Sequence, residues 1–142
     1  MDLKLKGRVA LVTGGGRDVG REISLALAAE GATVAINYNA SAKAAEKVAT
    51  DIATAGGQAA AFNADVADYA AVKVMIDACV QRYGRINIVV NNAGFTPRQR
   101  FLDSKPEDWR KQIDVGLYGV MNVCHAALPH MLKNKWGRIV NL

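Results

Sequence analysis

Short apolar runs recur along the chain at fairly even intervals and alternate with longer segments of mixed polarity. The runs cover residues 9–12, 33–36, 59–62, 86–90 and 138–142. Within most of each run the side chains are apolar at consecutive positions, which is typical of strands covered on both faces of a parallel sheet. The pattern therefore predicts five strands.

The segments between the first strands carry apolar residues at every third or fourth position, a spacing that places them on one face of a helix. The stripes are Val19, Ile23 and Leu27, then Ala45, Val48, Ala49 and Ile52, then Val72, Ile76, Cys79, Val80 and Tyr83. Gly31, Gly56 with Gly57, and Gly84 follow these stripes, where helices often end in a left-handed residue. The spacing predicts three helices that pack on the sheet.

A longer helix is predicted over residues 106–134. Pro106 suits its first position, whereas Pro129 removes a backbone hydrogen bond from its last turns. One side of this helix carries Trp109, Ile113, Leu117, Val120, Cys124 and Leu128. Because strands alternate with helices through short turns, we expect residues 1–142 to form one α/β domain. Its fold would be a Rossmann-like, doubly wound parallel sheet in three α/β/α layers, ending after the fifth strand.

Composition and charge exclude several classes of function. The formal net charge is +5, and its basic residues are spread over the whole length, at Lys4, Lys6, Arg8, Lys43, Lys47, Lys73, Arg98, Lys111 and Lys133. Dispersed charge is typical of a solvated surface, so we expect no nucleic-acid partner. No apolar run approaches the roughly 20 residues that cross a bilayer, so we expect a cytoplasmic protein without a membrane partner.

The cysteines and histidines do not indicate a metal site. Cys79 and Cys124 lie on apolar helical stripes, where a thiol packs as a small hydrophobe. His125 and His130 lie on the long helix without a cluster of Cys, Asp or Glu at ligand spacing. We therefore expect core packing for the thiols and no metal.

The segment from Thr13 to Gly20 joins the first strand to the first helix and reads Thr-Gly-Gly-Gly-Arg-Asp-Val-Gly. Glycines let the backbone approach a phosphate, and the free N–H groups at a helix start attract an anion. A glycine-rich turn without a ligand is the alternative, but its position in a βαβ unit favours dinucleotide binding. The ordinary G-x-G-x-x-G spacing is not met, because Val19 stands where the third glycine is required.

Three motifs in order carry a specific resemblance. Residues 13–20 resemble the T-G-x-x-x-G-x-G segment of short-chain dehydrogenases/reductases, Asn91-Asn92-Ala93-Gly94 matches their N-N-A-G segment, and Asp65-Val66 follows the third strand as in that family. The order and spacing hold over nearly the whole chain. The chain is similar in particular to members of the 3-oxoacyl-acyl-carrier-protein reductase type.

The resemblance implies which residues bind the dinucleotide. Gly14, Gly16, Arg17, Val19 and Gly20 would line the pyrophosphate and its ribose, Asp65 would accept a hydrogen bond from the adenine amino group, Val66 would pack on the adenine ring, and Asn91, Ala93 and Gly94 would support the adenosine ribose. Taken alone, Asp65 could be a simple turn or cap residue, but beside the other two motifs the adenine contact is the stronger interpretation.

The end of the second strand bears on the choice of cofactor. NAD-preferring relatives place an Asp there to hold the ribose 2′-hydroxyl, and here Tyr38 takes that place. Arg17 stands where NADP-using relatives often carry a basic residue, so a 2′-phosphate would meet a cation. Asn39 and Ser41 are candidate hydrogen-bond donors to that phosphate. We therefore expect NADP(H) rather than NAD(H); the alternative is that Arg17 is only solvated.

Two residues depart from the family pattern. Asp18 replaces a Gly or Ala, and we expect its carboxylate to cap the first helix through the N–H groups of Gly20 or Arg21, which weakens diphosphate binding. Gly116 stands where relatives carry an Asn that holds a water of the proton relay. Glycine permits the helix distortion found there but offers no amide. Gly116 is consistent with an engineered change, a natural variant with another relay, or a protein that no longer catalyses.

The catalytic residues that the resemblance implies are not present. In the family a Ser follows the fifth strand, and a later Tyr-x-x-x-Lys supplies the Tyr that exchanges a proton with the substrate and the Lys that lowers its pKa. These positions fall beyond Leu142, so we expect the 142 residues alone to be inactive or nearly so. The sequence is then either a fragment of a longer enzyme or a true truncation.

Several functions stay open on this basis. The first is an NADP-preferring oxidoreductase that interconverts an alcohol and a ketone on a small-molecule substrate. The second is a nucleotide-binding module without catalysis, or an inactive variant, and the third is a Rossmann-like interaction protein that binds no nucleotide. An S-adenosylmethionine methyltransferase is disfavoured, since the second strand lacks an acid to hold the ribose.

Two surfaces are expected to make contacts outside the cofactor site. The last strand would present an open apolar edge, and the long helix of relatives packs against its copy, so we expect a homo-oligomer, either a dimer or a tetramer. Residues 95–101, with Arg98 and Arg100, would either border a substrate cleft or form an exposed loop.

Overall fold

Five parallel strands form the centre of the protein in a computed structural model that describes residues 3–142. The strands are β1 (Val9–Val12), β2 (Thr33–Tyr38), β3 (Ala59–Asn63), β4 (Ile88–Asn91) and β5 (Arg138–Asn141). Their spatial order is β3-β2-β1-β4-β5, and every neighbouring pair is parallel. This order confirms the predicted doubly wound sheet. Met1 and Asp2, with which the predicted domain begins, lie outside the described residues.

In residues 3–142, five α-helices lie between consecutive strands. They are α1 (Asp18–Ala29), α2 (Ala42–Thr54), α3 (Tyr69–Tyr83), α4 (Pro106–Ile113) and α5 (Gly119–Lys133). A short 3-10 turn covers Phe101–Asp103, and a π-helical segment, Asp114–Tyr118, joins α4 to α5. Within the described residues, no helix is long and apolar enough to cross a bilayer.

Two separate cores cover the two faces of the sheet. On one face, Val12 and Ile36 of the strands pack with Val48 and other residues of α2. On the other face, Leu11 and neighbouring strand residues pack with side chains of α3 and α5. Consecutive strand residues are thus buried on opposite sides, which explains the apolar runs and confirms the three-layer α/β/α arrangement.

Glycines end three of the helices as the sequence predicted. Gly31, Gly56 and Gly84 have φ angles of +89°, +86° and +78°. Residues with a Cβ pay a steric cost in this left-handed region, whereas glycine does not. Each glycine therefore lets the chain turn back toward the sheet.

The apolar stripe predicted for α1 is wrong at its first position. Val19 is 62% exposed, whereas Gly20 and Ser24 are buried against the sheet. The Ser24 hydroxyl donates to the carbonyl oxygens of Gly15, at 3.0 Å, and Gly20, at 2.9 Å. The start of α1 lies so close to the preceding turn that only small residues fit, and this directs Val19 toward solvent.

The long helix is interrupted where a distortion was anticipated. Gly116 is the central residue of the π-helical segment. Beyond it, α5 buries Gly119, Val123, Ala127 and Met131. The stripe singled out from the sequence is a different face, and Trp109, Ile113, Leu117 and Leu128 on it are exposed. The helix thus has two apolar faces, of which the sheet covers one.

Strand β5 forms an open edge of the sheet. It pairs with β4 alone, and all of its residues are exposed in the described chain. The open apolar edge expected for the last strand is confirmed, whereas the cover on both faces that its apolar run indicated is absent from the described residues. The physical reason is that no described helix packs outside it, so Ile139 and Val140 meet solvent.

The two cysteines differ in their surroundings. Cys79 is fully buried in the core beneath α3, and burial raises the pKa of its thiol to about 12. Cys124 is half-buried, and its Sγ atom accepts a hydrogen bond from the Asn91 amide at 3.4 Å. Cys79 therefore packs as a hydrophobe, as predicted.

The fold gathers positive charge that the sequence scatters. In residues 3–8, 82–85 and 133–138, every charged side chain is Lys or Arg, and these segments meet at the amino ends of β1, β4 and β5. We call this surface the basic edge; it contains Lys4, Lys6, Arg8, Arg82, Arg85, Lys133, Lys135 and Arg138. The guanidinium groups of Arg8 and Arg138 both lie over the Trp136 ring, at 3.9 and 4.8 Å from its centre. The basic residues are dispersed along the sequence, and the fold brings eight of the eighteen to this edge.

Candidate functional site

A cleft of about 630 Å³ opens at the carboxyl ends of β1, β2 and β4. Its walls are formed by the turn after β1, the segment after β2, the segment after β3, and residues 92–96 after β4. In open parallel sheets this edge is where ligands bind, because loops from adjacent strands diverge there and leave a crevice. The fold thus places the three sequence motifs around one space.

The glycine-rich turn after β1 is packed too closely to accept side chains. Gly14 has a φ angle of +60°. A Cβ at Gly16 would lie 2.8 Å from the backbone of Ala45, and one at Gly20 would overlap the carbonyl oxygen of Gly14. These glycines let α1 begin directly against the turn and keep the floor of the cleft open.

The start of α1 presents backbone donors to the cleft. Arg17 is the N-cap residue, and no side chain caps the helix. The first backbone bond of the helix runs from the N–H of Arg21 to the carbonyl of Arg17. Among the described residues no acceptor is bonded to the N–H groups of Asp18, Val19 and Gly20, so these donors are available to an anion.

The expectation that Asp18 caps α1 is wrong. Its carboxylate makes no hydrogen bond to Gly20, Arg21 or any other described residue. Asp18 has a φ angle of +48°, so its backbone is in the left-handed region at the first helical position. An N-cap side chain reaches back to the helix from an extended backbone, and here that position belongs to Arg17, whose φ is −143°.

The loop after β4 is tied to the turn after β1. The Thr13 hydroxyl oxygen accepts hydrogen bonds from the N–H groups of Asn92, at 3.0 Å, and Ala93, at 2.9 Å. The Asn92 amide donates to the carbonyl oxygens of Thr13, at 3.0 Å, and Gly14, at 3.3 Å. Ala93 and Gly94 follow along the wall of the cleft. Asn92 therefore joins the loop after β4 to the glycine-rich turn, a structural role that the sequence motifs do not indicate.

Asn91 lies outside the wall of the cleft. It is 4% exposed, and its amide donates to the Asn141 side chain at 2.8 Å and to Cys124. Of the residues predicted to support the adenosine ribose, the structure therefore brings Ala93 and Gly94 into the cleft and leaves Asn91 beneath it.

Asp65 combines a turn with a place in the cleft. One carboxylate oxygen accepts the N–H of Ala67 at 2.9 Å, and its carbonyl accepts the N–H of Asp68 at 3.0 Å. The other carboxylate oxygen is bonded to no described group. Val66 is buried beside it and packs against Gly119 of α5. The turn role and a ligand role are compatible, because each uses a different oxygen.

The wall after β2 carries no acid. Tyr38, Asn39 and Ser41 line the cleft there, and Arg17, from the turn after β1, lines the same cleft. Arg17 is exposed and forms none of the ion pairs found within residues 3–142. The cleft wall therefore includes a cation that forms no ion pair within residues 3–142, and the segment after β2 adds no carboxylate to that wall.

The far end of the cleft is bordered by the segment after β4 and by α4. Phe95 and Thr96 line it, together with Lys111 and Val115. The Lys111 ammonium group lies 4.2 Å from the centre of the Phe95 ring. Farther along the same segment, Arg100 forms an ion pair with Asp103 and does not line the cleft. Both alternatives left open for residues 95–101 thus apply in part, because Phe95 and Thr96 border the cleft and the rest of the segment lies at the surface.

The described residues contain no group of three or more His, Cys, Asp or Glu side chains placed to hold a metal ion. His125 contacts Tyr69, whose hydroxyl lies 2.8 Å from the His125 Nδ1 atom. Its ring also lies edge-to-face against the tyrosine ring.

The sequence model of one family, described as short chain dehydrogenase, matches residues 8–142. The chain belongs to the short-chain dehydrogenase family. A curated relative, the 3-oxoacyl-(acyl-carrier-protein) reductase of Staphylococcus aureus, is 43% identical over 133 residues, covering 94% of this chain and 54% of the relative. The chain thus spans about half the length of the curated relatives it matches.

Solved structures of short-chain dehydrogenases share this architecture. The enzyme from Burkholderia cenocepacia, in complex with NADP, superposes with a TM-score of 0.87 at 38% identity, covering 96% of this chain and 55% of that one. A metagenomic short-chain oxidoreductase, also in complex with NADP, gives a TM-score of 0.89 at 30% identity, covering 96% and 62%. The Rossmann-like fold inferred from the sequence is therefore confirmed.

Proposed function

We propose that this chain is the nucleotide-binding portion of an oxidoreductase that interconverts an alcohol and a ketone with NADP(H). The observation that carries the cofactor preference is that Arg17, which forms none of the ion pairs within residues 3–142, lines the same cleft as Tyr38, with no carboxylate at the end of β2. A 2′-phosphate there would gain a charge-assisted hydrogen bond, whereas a 2′-hydroxyl would find no acceptor of the kind NAD-binding sites provide.

The residues of the cleft fit a dinucleotide. The uncapped N–H groups at the start of α1 suit a diphosphate, and the turn before them has no side chain that would obstruct its approach. The proposed binding residues are Gly14, Gly16, Arg17, Asp18, Val19, Gly20, Tyr38, Asn39, Asp65, Val66, Ala93 and Gly94, with Asn91 supporting the wall from below. The free oxygen of Asp65 would accept the adenine amino group.

The bound dinucleotide would supply or accept the hydride of the reaction. The described residues would hold it, fix its orientation and keep water from its diphosphate. The substrate would be a small carbonyl or alcohol compound that enters near Phe95 and Thr96, at the far end of the cleft.

A nucleotide-binding module without catalysis is a second candidate, favoured by Gly116. This residue lies in the π-helical segment and has no amide to hold a relay water. Residues 1–142 alone are expected to be inactive, so Gly116→Asn distinguishes the two functions only in a full-length protein that also supplies the family's Ser and Tyr-x-x-x-Lys. Faster ketone-dependent oxidation of NADPH, followed by its absorbance, supports the oxidoreductase, whereas unchanged binding without turnover in both proteins supports the module.

Titration calorimetry with NADPH and NADH tests the cofactor preference. We expect the protein to bind NADPH at least about tenfold more tightly, and Arg17→Gln to remove most of that difference by weakening NADPH binding alone. Arg85→Gln is the matched control, because Arg85 is exposed at the basic edge, at the opposite ends of the strands. Equal affinity of the unaltered protein for both dinucleotides would contradict the preference. Absence of binding to either would reject the function itself.

We further propose that residues 1–142 form one domain and that the protein is a cytoplasmic homo-oligomer. Support for assembly comes from the exposed face of α5 and the π-helical segment, which carries Leu117, Tyr118, Met121, Leu128 and Leu132. Contiguous apolar surface of this kind is unusual on a monomer. Sedimentation equilibrium measures the outcome, and a monomer at all concentrations would contradict the proposal.

A further inference from the structure

Asn37 is a buried polar residue near the carboxyl end of β2, one position before its last residue. Its side chain is 2% exposed, between the apolar Ile36 and the half-buried Tyr38. Burying an amide costs free energy unless its donor and acceptor atoms are both bonded. The partners of this side chain therefore reveal why a polar residue is retained there.

The two ends of the Asn37 amide are bonded to two different walls of the cleft. Its oxygen accepts the N–H of Gly14 at 3.2 Å, and its nitrogen donates to the carbonyl of Ala64 at 3.0 Å. The carbonyl of Asn37 itself accepts the N–H of Gly15 at 3.1 Å. A single rigid group thus joins the glycine-rich turn after β1 to the segment that leads into Asp65.

The order of the strands explains why Asn37 can bond to two walls of the cleft. Strand β2 lies between β1 and β3, so a side chain at its carboxyl end is the one that can contact the loops of both neighbours. The turn after β1 is the proposed diphosphate site, and the segment after β3 is the proposed adenine site. The Asn37 amide spans the distance between them.

We propose that Asn37 is a positioning residue that sets the separation between the diphosphate site and the adenine site. This inference rests on the proposed function. A ligand that bridges both sites, with adenosine joined to a diphosphate, then gains from the fixed spacing, whereas a ligand that occupies the adenine site alone gains little. Asn37 thereby makes the cleft selective for nucleoside diphosphate derivatives over nucleosides.

Calorimetry with ADP and with adenosine tests this proposal in the purified protein. We expect Asn37→Ala to weaken ADP binding at least about tenfold and adenosine binding less than about threefold. Asn63→Ala is the matched control, because the Asn63 amide also ties a strand end, donating to the carbonyls of Tyr38 and Asn39, but does not contact the turn. We expect this control to weaken both ligands equally, if at all.

Asn37→Asp provides a second test that does not depend on creating a cavity. At neutral pH a carboxylate would face the carbonyl of Ala64, which a carboxylate cannot bond, and ADP binding should weaken. When the Asp is protonated, its O–H can donate to that carbonyl again. We expect the ratio of the dissociation constants of Asn37→Asp and the unaltered protein to fall as the pH is lowered from 7 toward 5.

The outcomes of these experiments distinguish the positioning role of Asn37 from the proposed function on which it rests. Failure of the unaltered protein to bind ADP would reject the proposed function. Binding by the unaltered protein, with equal losses for ADP and adenosine in Asn37→Ala, would overturn the positioning role, as would a pH-independent ratio in Asn37→Asp. Thermal unfolding of each variant, recorded at each pH, shows whether a loss of binding follows from a loss of folded protein.

Discussion

Asp18 lines the cleft, and its backbone conformation affects the stability of the protein whereas its charge affects the binding of an anion. Asp18 has a φ angle of +48°, and its carboxylate has no partner among the described residues. The left-handed region costs ordinary residues about 1 kcal/mol, although Asp and Asn tolerate it better than most. The charge lies beside the N–H groups of α1, where it opposes an anion. Variants at this position can separate the two effects.

We predict that Asp18→Gly and Asp18→Asn both tighten NADPH binding several-fold, because each removes the carboxylate from the cleft. In Asp18→Gly, glycine removes the steric strain of the left-handed backbone, which stabilises the folded state. Glycine also raises the conformational entropy of the unfolded chain, which costs about 0.4–1 kcal/mol and offsets that gain. The free energy of unfolding should therefore change by less than about 0.5 kcal/mol. Calorimetry and urea unfolding measure the two quantities.

Asp18→Ala is the control for backbone strain. Alanine removes the charge but tolerates the left-handed region poorly, so we expect tighter binding together with a loss of stability of about 1 kcal/mol. If all three variants bind NADPH no better than the unaltered protein, the carboxylate does not oppose the diphosphate.

The helical segment from α4 to α5 shows how two glycines in one element can have opposite roles. Gly116 lies in the π-helical segment, and a Cβ there would meet no atom within 4 Å. Gly119 is buried at the start of α5, where a Cβ would lie 2.7 Å from the Cγ2 atom of Val66. Only Gly119 is required by packing, and it allows α5 to approach the segment after β3.

We predict that Gly116→Ala stabilises the protein by about 0.5–1 kcal/mol, because alanine loses less entropy on folding and meets no obstacle. Gly119→Ala, the matched change in the same helix, should destabilise it by about 1–3 kcal/mol, because Val66 must move. Urea unfolding of both variants measures these differences. Destabilisation by Gly116→Ala would show that the π-helical segment depends on glycine.

At the scale of the whole molecule, the basic edge concentrates like charges at one end of the sheet. Helices α1, α3 and α5 end there, and each contributes roughly half a negative charge. Glu30 at the end of α1 adds one carboxylate. Within residues 3–142, the Lys and Arg side chains of the three segments outnumber these negative charges, so mutual repulsion opposes the folded state.

We predict that raising the NaCl concentration from about 0.05 M to about 0.5 M stabilises the protein by about 1 kcal/mol, because salt screens this repulsion. The double variant Lys6→Gln and Arg85→Gln should show a weaker dependence on salt. Lys43→Gln with Lys73→Gln removes the same charge from α2 and α3 and should retain the full dependence. Equal salt dependence in the two double variants would contradict the role of the basic edge.

Parts of the site were readable from the sequence because they depend on local backbone requirements. Gly14, Gly16 and Gly20 are needed where the chain turns tightly or approaches another backbone, and such a requirement is visible as a motif. The role of Asn37 was not, since its partners Gly14 and Ala64 lie 23 and 27 positions away. Asp18 was misread because its side chain suits a cap, whereas its backbone angle places Arg17 at that position.

The sequence by itself determined the alternation of strands and helices, the parallel sheet and the glycine-rich turn, because each follows from local periodicity and backbone sterics. Tertiary structure decided which residues meet. It brought Asn37 between two walls of the cleft, exposed one apolar face of the long helix and buried the other, and assembled the basic edge from distant segments. These features depend on the order of the strands in space, which the periodicity of a single segment does not encode.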